Sequence, residues 1–466
     1  METINNWILL DLSKQLEKTE YHFNKTYPLS IRKRGQDTIP LSELEFRICT
    51  LLSTSNSFDL IKGELLREFN NVAIENAYNQ LISMGIVKQI SDSQEFHARI
   101  LTPYDKDLAG VRHFPRSIVW NITNNCNLNC RHCISNYFEN NKDLALSTKL
   151  IDRLVDEMDK NALERLQISG GEPLCSPYFN YILESTLNTD ICIDVFTNAT
   201  LITEKHHKLF ENYIYKKPGA LTFHISIDGD QECHNYLRQN DEAYQKTISN
   251  IKRIMEYNGT VNVETIIHNK NLHLLEDYIR ILVEIHVQYV YMHPTFHLGY
   301  NEKIQETELT IEQRMVVFNT MITLKNKFKG KIKINYVDPF FPVTSYYMKH
   351  ILHLPSTLGD KQKYPINCIA GLEKMFINCE GEVYPCLLYN KMPRDSCGNI
   401  AKRSLLEAWK SSGMEYVRKP IYVCDLPCSV CGYSQYCMGK IKSCRRGIEM
   451  MSNNYLGSAP TCNEIL

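Results

Sequence analysis

Ten residues, NNCNLNCRHC at 124–133, hold Cys126, Cys130 and Cys133 within eight positions. Thiolates packed this densely on one short segment are soft ligands that select zinc, copper or iron–sulfur clusters. A structural zinc site needs a fourth ligand, and His132, next to Cys133, would point away from a metal held by its neighbour. Three thiolates on one loop instead suit a four-iron cube with one iron left open to a ligand that is not protein. The spacing alone leaves zinc as the alternative. Further along, SGGEPL (169–174) offers two glycines that let backbone approach a partner closely and Glu172 as an acceptor for an ammonium group. TNAT (197–200), SIDGD (226–230) and HNYLR (234–238) add polar side chains at regular intervals. Ten more cysteines lie between Cys368 and Cys462, while Cys49, Cys175, Cys192 and Cys233 stand apart and read as small buried hydrophobes.

These groups need a scaffold, and the chain is long enough to supply one. It has 466 residues and is 43% hydrophobic. At roughly 150 residues per domain, that suffices for about three domains. A formal charge of -1 with interspersed acids and bases disfavours a nucleic-acid partner. The start, METINNWILLDLSKQLEKTE, carries acids where a signal peptide carries bases. Nowhere does an apolar run reach the length of roughly 18 residues that spans a bilayer. The expectation is a cytoplasmic protein without a membrane partner. In that compartment seventeen cysteines argue for metal or redox chemistry over disulfides.

Residues 1–112 show helical periodicity at 41–52, 58–69 and 72–85, followed by IVKQI and FHARIL as short strands, which suggests a winged helix. Residues 113–345 alternate strand and helix. Strands are expected at 117–123, 165–169, 191–197, 221–227, 260–267 and 288–293, with amphipathic helices such as 147–162 and 243–258 between them. Repetition in this order predicts an α/β fold with parallel pairing, a barrel or doubly wound sheet whose active residues stand at the carboxyl ends of the strands. From 346 to 466 the periodicity fades, and that cysteine-rich segment is expected to be held by metal more than by a core.

CNLNCRHC, SGGEPL, TNAT and SIDGD, in this order over about 117–340, resemble the radical S-adenosylmethionine (SAM) enzymes. The resemblance implies a partial (β/α)6 TIM-like barrel and a [4Fe-4S] cluster on Cys126, Cys130 and Cys133, whose open iron binds SAM and splits it into a 5'-deoxyadenosyl radical. It places Gly170, Gly171, Glu172 and Pro173 at the methionine end, Ser226 and Arg238 near the carboxylate, His132 toward adenine, and Asn198 and Asp228 as weaker candidates. The later cysteines resemble the auxiliary-cluster region called SPASM. That likeness implies two further iron–sulfur clusters, one on Cys428, Cys431, Cys437 and Cys462, the other on Cys368, Cys386 and a later cysteine. The family pattern wants a cysteine four positions after Cys437, where this chain has Ile441; Cys444 is the nearest thiol. Cys379, Cys397 and Cys424 are spare, and the fourth ligand stays open among them, Cys444 or a substrate thiolate. Structural zinc is the alternative for this region also.

Sulfatase-maturing relatives place an acid after the position of Cys386; Leu387 stands there instead. The N-terminal domain resembles the leader-recognition element of peptide-modifying radical enzymes, in which a strand edge captures an extended peptide. SIRKR (30–34) and IVKQI (86–90) are the expected edges. Read as a DNA reader, the segment 71–84 contains no Lys or Arg, so phosphate attraction would be weak. The implied activity is maturation of a ribosomally made precursor peptide with a leader, most simply by an intramolecular thioether crosslink, with carbon–carbon crosslinking second. A reducing partner such as flavodoxin or ferredoxin is implied. Reading classes outside catalysis are an iron–sulfur winged-helix regulator and a zinc-scaffolded binding protein.

Overall fold

A computed structural model of the chain describes residues 7–11, 29–33, 38–40, 42–52, 58–83, 98–101, 113–133, 144, 146–295, 307–338, 368–390, 396–419, 421, 426–431, 444–452, 454 and 456. The chain divides into two units. One comprises Met1–Arg116 with Met158–Glu164 and Asn188–Cys192, and the other holds the remainder.

In the first unit, β1 (Trp7–Asp11), β2 (Leu29–Lys33), β3 (Thr38–Pro40) and β4 (Ala98–Leu101) form a sheet in the order β3-β2-β1-β4. β1–β2 and β2–β3 are antiparallel, and β1–β4 is parallel. Helices Glu43–Leu52, Phe58–Leu65 and Asn71–Ser83 stand where the periodicity places them. A reciprocal cap starts the first of them. The Ser42 N–H donates to Glu45 Oε2 at 2.7 Å, and the Glu45 N–H donates to Ser42 Oγ at 3.3 Å. Their apolar stripes bury Ile48, Ile61, Leu65, Ile74 and Leu81. Two expectations change here. FHARIL supplies β4, whose parallel partner is β1, a strand that sequence reading did not assign; IVKQI lies outside the described residues. SIRKR is not an edge, because β2 has β1 on one side and β3 on the other. Among the described residues the outer edges of this sheet belong to β3 and β4.

The second unit is built on a nine-stranded sheet in the order β11-β10-β9-β8-β7-β6-β5-β12-β13. Its strands are β5 (Ser117–Asn121), β6 (Arg165–Ser169), β7 (Cys192–Thr197), β8 (Leu221–Ser226), β9 (Thr260–Ile267), β10 (Tyr289–Pro294), β11 (Lys333–Tyr336), β12 (Lys374–Ile377) and β13 (Val383–Tyr384). The first six occur within a residue or two of the segments predicted from pattern. β5 to β11 lie side by side in chain order, and the pairs β5–β6, β7–β8, β8–β9, β9–β10 and β10–β11 are parallel. The result is an open partial barrel. β12 continues it in parallel on the free side of β5, and β13 turns back on β12.

Alternation within each strand decides which side chains face which layer. Ile118 and Trp120, Leu166 and Ile168, Phe223 and Ile225, and Val290 and Met292 are buried. They match the apolar side of helices such as Thr148–Lys160, which contributes Ile151, Leu154, Val155 and Met158. Many of the intervening positions are polar, among them Arg165, Gln167, Asp194, His224, Glu264, Tyr291 and His293. Such residues at alternate positions of otherwise apolar strands mark the concave face, which is left for chemistry. Among the described residues no helix is long and apolar enough to cross a membrane.

Candidate active site

The cysteine segment follows β5 and is pinned from two sides. The Ile122 N–H donates to Ser169 O at 3.0 Å, the Gly171 N–H to Thr123 O at 2.9 Å, and the Glu172 N–H to Asn125 O at 2.8 Å. This ladder lies flush: a Cβ on Gly170 would come within 2.3 Å of Thr123 O, and one on Gly171 within 2.5 Å of Asn124 O and Asn125 O. The expected close approach at the paired glycines is therefore real, but the partner is the backbone of the cysteine loop, where a ligand was expected. On the other side the loop is stitched to the end of the helix Gln231–Arg238. The Arg131 N–H donates to Leu237 O at 2.9 Å, and Arg131 Nε donates to Tyr236 O at 3.2 Å. The guanidinium also stacks 4.3 Å from the Tyr236 ring centre, an attraction of cation to ring face.

Glu172 sits 1% exposed at the hub. Oε1 accepts from the Leu174 N–H at 3.2 Å and the Thr197 hydroxyl at 2.7 Å, and Oε2 accepts from the Asn198 N–H at 2.8 Å. The ammonium acceptor of the sequence reading thus serves its own chain, locking the TNAT turn to the SGGEPL turn. Pro173 is buried at the start of the single turn Pro173–Cys175. Asn198 is also an internal tie: Nδ2 donates to Asn127 Oδ1 at 3.1 Å, Oδ1 accepts from the Thr200 N–H at 2.9 Å, and the carbonyl accepts from the Thr247 hydroxyl at 2.9 Å. Ser226 ends β8 half-buried, in register with Glu264.

Burial raises the Glu172 carboxyl from its ordinary 4.5 to about 7, against three hydrogen bonds that favour the anion. A raised carboxyl stabilises fully below 4.5, and that contribution is lost as pH rises through 7. Glu172→Gln, which does not titrate, should therefore destabilise strongly at pH 5 and less at pH 8, the gap narrowing by on the order of 3 kcal/mol. Chemical denaturation of the metal-free variant and parent at both pH values checks this, and a pH-independent difference rejects it.

Arg238 and Asp228, expected near a SAM carboxylate, form a buried ion pair. Arg238 Nη2 lies 2.6 Å and Nε 2.8 Å from Asp228 Oδ2, and Asp228 Oδ1 accepts from the Ile266 N–H at 2.9 Å. Arg238 Nη1 also donates to Cys130 Sγ at 3.7 Å. His132 faces this pair. Its Nδ1 is buried without a hydrogen-bond partner, and burial, then Arg238, lowers the ring to about 3, so it is neutral.

The donor set fits an iron–sulfur group. Partial shielding of its sulfur pushes Cys126 up to about 12 although the residue as a whole is exposed, and it feels the charges of Cys130 and Cys133, so the three thiols are close neighbours. The Leu128 N–H donates to Cys126 Sγ at 3.4 Å. A metal-free thiol raised this far by burial is a group that a bound cation would deprotonate. The C-terminal cysteines repeat the arrangement. Cys386, raised to about 12 by burial, feels Cys368 and then Cys444, and its sulfur accepts from the Leu388 and Tyr389 N–H groups. Cys444 Sγ accepts from the Gly447 N–H at 3.3 Å, and Cys368 accepts from Ala370. N–H donors aimed at sulfur are what cluster thiolates receive. The structure thus brings Cys444 to Cys368 and Cys386. Among the described residues no three such ligands converge on a point that would hold a single ion. Cys379 and Cys397 are buried; Cys431 is half-buried; Cys424, Cys437 and Cys462, and the side chain of Cys428, lie outside the described residues. Of the solitary cysteines, Cys49 and Cys192 are buried as expected, whereas Cys175 and Cys233 are half-buried. We expect Cys444→Ala to lower bound iron by one cluster's share and Cys233→Ala to leave it unchanged, by iron and sulfide analysis after anaerobic reconstitution. Equal iron in both variants would remove Cys444 from the ligand set.

Sequence reading missed the concave face. Gln167 Nε2 donates to Asp194 Oδ2 at 3.2 Å, Arg165 pairs with Asp194, and His224 Nδ1 lies 2.8 Å from Glu264 Oε1, with His293 Nε2 3.8 Å from Glu264 Oε2. The Lys374 ammonium feels Cys386, Asp194 and Glu264, and burial lowers its pKa. The available signal was one charged residue inside each apolar strand, as in CIDVFT, LTFHIS and TVNVETII.

Comparison with known proteins agrees with this geometry. Residues 120–282 match the radical SAM superfamily, and residues 368–443 match SPASM, an iron–sulfur cluster-binding domain. This chain carries a radical SAM domain followed by a SPASM domain. The matched segment runs from the end of β5 through β9, with the cysteine loop directly after β5. An AdoMet-dependent heme synthase of Methanosarcina barkeri is 23% identical over 360 residues, covering 76% of this chain and 98% of that protein. The subtilosin biosynthesis protein AlbA of Bacillus subtilis is 25% identical over 298 residues, covering 63% of this chain and 59% of that one. Among solved structures, Streptococcus suis SuiB bound to its precursor peptide SuiA superposes with a TM-score of 0.66 at 15% identity, covering 99% of both chains. That likeness is one of fold.

Proposed function

We propose that this chain is a radical SAM maturase that modifies a ribosomally made precursor peptide, forming an intramolecular thioether. The observation that carries the reading is the match along 99% of both chains to a peptide-bound structure, which extends the likeness beyond the barrel to the first unit. Among the described residues no strand pairs with the outer edge of β4, and an extended leader could add a strand there. Leader capture would raise the local concentration of the attached core peptide at the barrel.

Cys126, Cys130 and Cys133 would hold the catalytic cluster, Cys368, Cys386 and Cys444 one auxiliary cluster, and Cys428, Cys431, Cys437 and Cys462 the other. When bound, the first cluster and SAM supply a 5'-deoxyadenosyl radical that removes a hydrogen atom from the peptide. The protein's part is placement. Glu172, Asn198 and the paired glycines fix the cysteine loop against the strand ends, and Ser226 stands at the end of β8. His224 and Glu264, in hydrogen-bond contact on the concave face, can take up the proton that leaves when a peptide thiol becomes a thioether sulfur. The electron released as the carbon radical joins that sulfur could be accepted by the auxiliary cluster that Cys368, Cys386 and Cys444 would hold. The chain is read as cytoplasmic, with a flavodoxin or ferredoxin as reductant.

Carbon–carbon crosslinking is the alternative. Both linkages remove two hydrogens, but only a thioether consumes a thiol. Mass spectrometry of the co-expressed precursor after alkylation separates them, and full alkylation of every cysteine in a product lighter by two hydrogens rejects the thioether. A second reading, a tetrapyrrole substrate, is favoured by the heme-synthase relative, which is covered over 98% of its length. It predicts 5'-deoxyadenosine release with an iron porphyrin and none with a leader-bearing peptide.

A further inference from the structure

We propose that the buried Arg238–Asp228 pair is a positioning device that sets the reduction potential of the cluster on the cysteine loop, through the hydrogen bond from Arg238 to Cys130. This inference rests on the assignment of Cys126, Cys130 and Cys133 as cluster ligands.

The geometry ties Arg238 directly to the cysteine loop. Its side chain is 9% exposed and that of Asp228 is fully buried. Two of its nitrogens hold Asp228 Oδ2, and the third, Nη1, donates to Cys130 Sγ. Asp228 is fixed in turn: Oδ1 accepts from the Ile266 N–H on β9, and its backbone carbonyl accepts from Asn271 Nδ2 at 3.1 Å. The guanidinium therefore stands at a set position against one thiol. His234 lies beside the pair, its Nδ1 3.7 Å from Asp228 Oδ2 and accepting from the Asp228 N–H at 3.2 Å, which fixes the carboxylate further.

The helix adds a second reason for a cation there. Gln231–Arg238 ends against the loop, and its Tyr236 and Leu237 carbonyls are engaged by Arg131. The carboxyl end of a helix carries partial negative charge, which opposes an anionic cluster. Reduction adds one more negative charge to that cluster. A buried N–H donor and positive charge beside one thiolate stabilise the reduced form more than the oxidised form, which raises the potential. Asp228 opposes this in part while holding the donor in place. Arg238 and Asp228 should thus move the potential in opposite directions, whereas a merely structural pair would move it in one direction or not at all.

The test is a potentiometric titration of the anaerobically reconstituted full chain without SAM. It follows by electron paramagnetic resonance the reduced-cluster signal that Cys126→Ala removes. Arg238→Gln should leave about tenfold less reduced cluster at a fixed potential, a shift of about 59 mV for a one-electron couple. Asp228→Asn should shift the midpoint upward, and Arg238→Lys should stay nearer the parent. Because Arg238→Gln leaves a buried carboxylate unpaired and is at risk of unfolding, Arg238→Gln/Asp228→Asn, which removes both charges, should give a midpoint between those of the single variants. Shifts of the same sign, or an unchanged potential with full iron loading, overturn the proposal. So does weakened SAM binding by Arg238→Lys at an unchanged potential, which would make the guanidinium a ligand of SAM. Absence of any signal dependent on Cys126 would instead overturn the cluster assignment beneath it.

Discussion

Alanine at Cys126, Cys130 and Cys133 together should abolish 5'-deoxyadenosine formation and leave the fold intact. Removing the three thiols deletes every protein ligand of the proposed catalytic cluster, so bound iron should fall by about four atoms per chain. The structural cost is small. Cys126 is exposed and Cys133 is half-buried, and only Cys130 is buried, at 9% exposure. Substitutions of this kind outside a packed core cost about 1 kcal/mol or less each. The hydrogen bonds that seat the loop, from Gly171, Glu172 and Arg131, use backbone groups and Arg131 Nε and survive the change. Precursor binding should persist, because the edge strand proposed to capture it belongs to the other unit. Chromatographic measurement of 5'-deoxyadenosine under strong reductant, beside a binding assay with labelled precursor, reads both outcomes. Retained cleavage of SAM would end the assignment of the loop.

The barrel was legible because its signal is repetitive. RLQIS and TVNVETII coincide with β6 and β9, and the amphipathic stretch around Thr148–Lys160 recurs as predicted. Parallel strands with a buried face leave that periodicity whatever lies elsewhere in the chain. The cysteine loop was legible by spacing. What spacing could not supply is the direction of a side chain. Glu172, Asn198, Asp228 and Arg238 stand where a ligand site was expected, yet their polar atoms meet partners from TNAT, the cysteine loop and β9. The Arg238–Asp228 pair spans ten positions and the other contacts join residues 25 to 71 positions apart, which no local pattern encodes. Cys444 was open for the same reason: its nearness to Cys368 and Cys386 is a property of the folded end of the chain. Short strands escaped as well. β11 to β13 run only two to four residues, too few for alternation to stand out.

Gly171→Ala should cripple the enzyme more than its size suggests. The backbone at Gly171 needs no special torsion, so the argument is one of space. A Cβ there meets Asn124 O and Asn125 O at 2.5 Å, distances that real Cβ contacts do not show, and both atoms are backbone. The clash cannot be relieved by turning a side chain; the segment 124–125 must move away. Movement strains the bonds from Gly171 to Thr123 O and from Glu172 to Asn125 O. Each contributes about 1 kcal/mol, in addition to about 1–3 kcal/mol of overpacking. The displaced residues lead straight into Cys126. A shift of about 1 Å at a reacting centre can cost about 100-fold in rate, so 5'-deoxyadenosine formation should fall at least that far, with reduced iron loading. Gly63→Ala is the control. That glycine lies in the helix Phe58–Leu65 with nothing within 4 Å of its Cβ direction. Alanine there should stabilise by about 0.5–1 kcal/mol and leave SAM cleavage untouched. Equal activity in the two variants would mean that the glycines do not hold the cysteine loop in its working position.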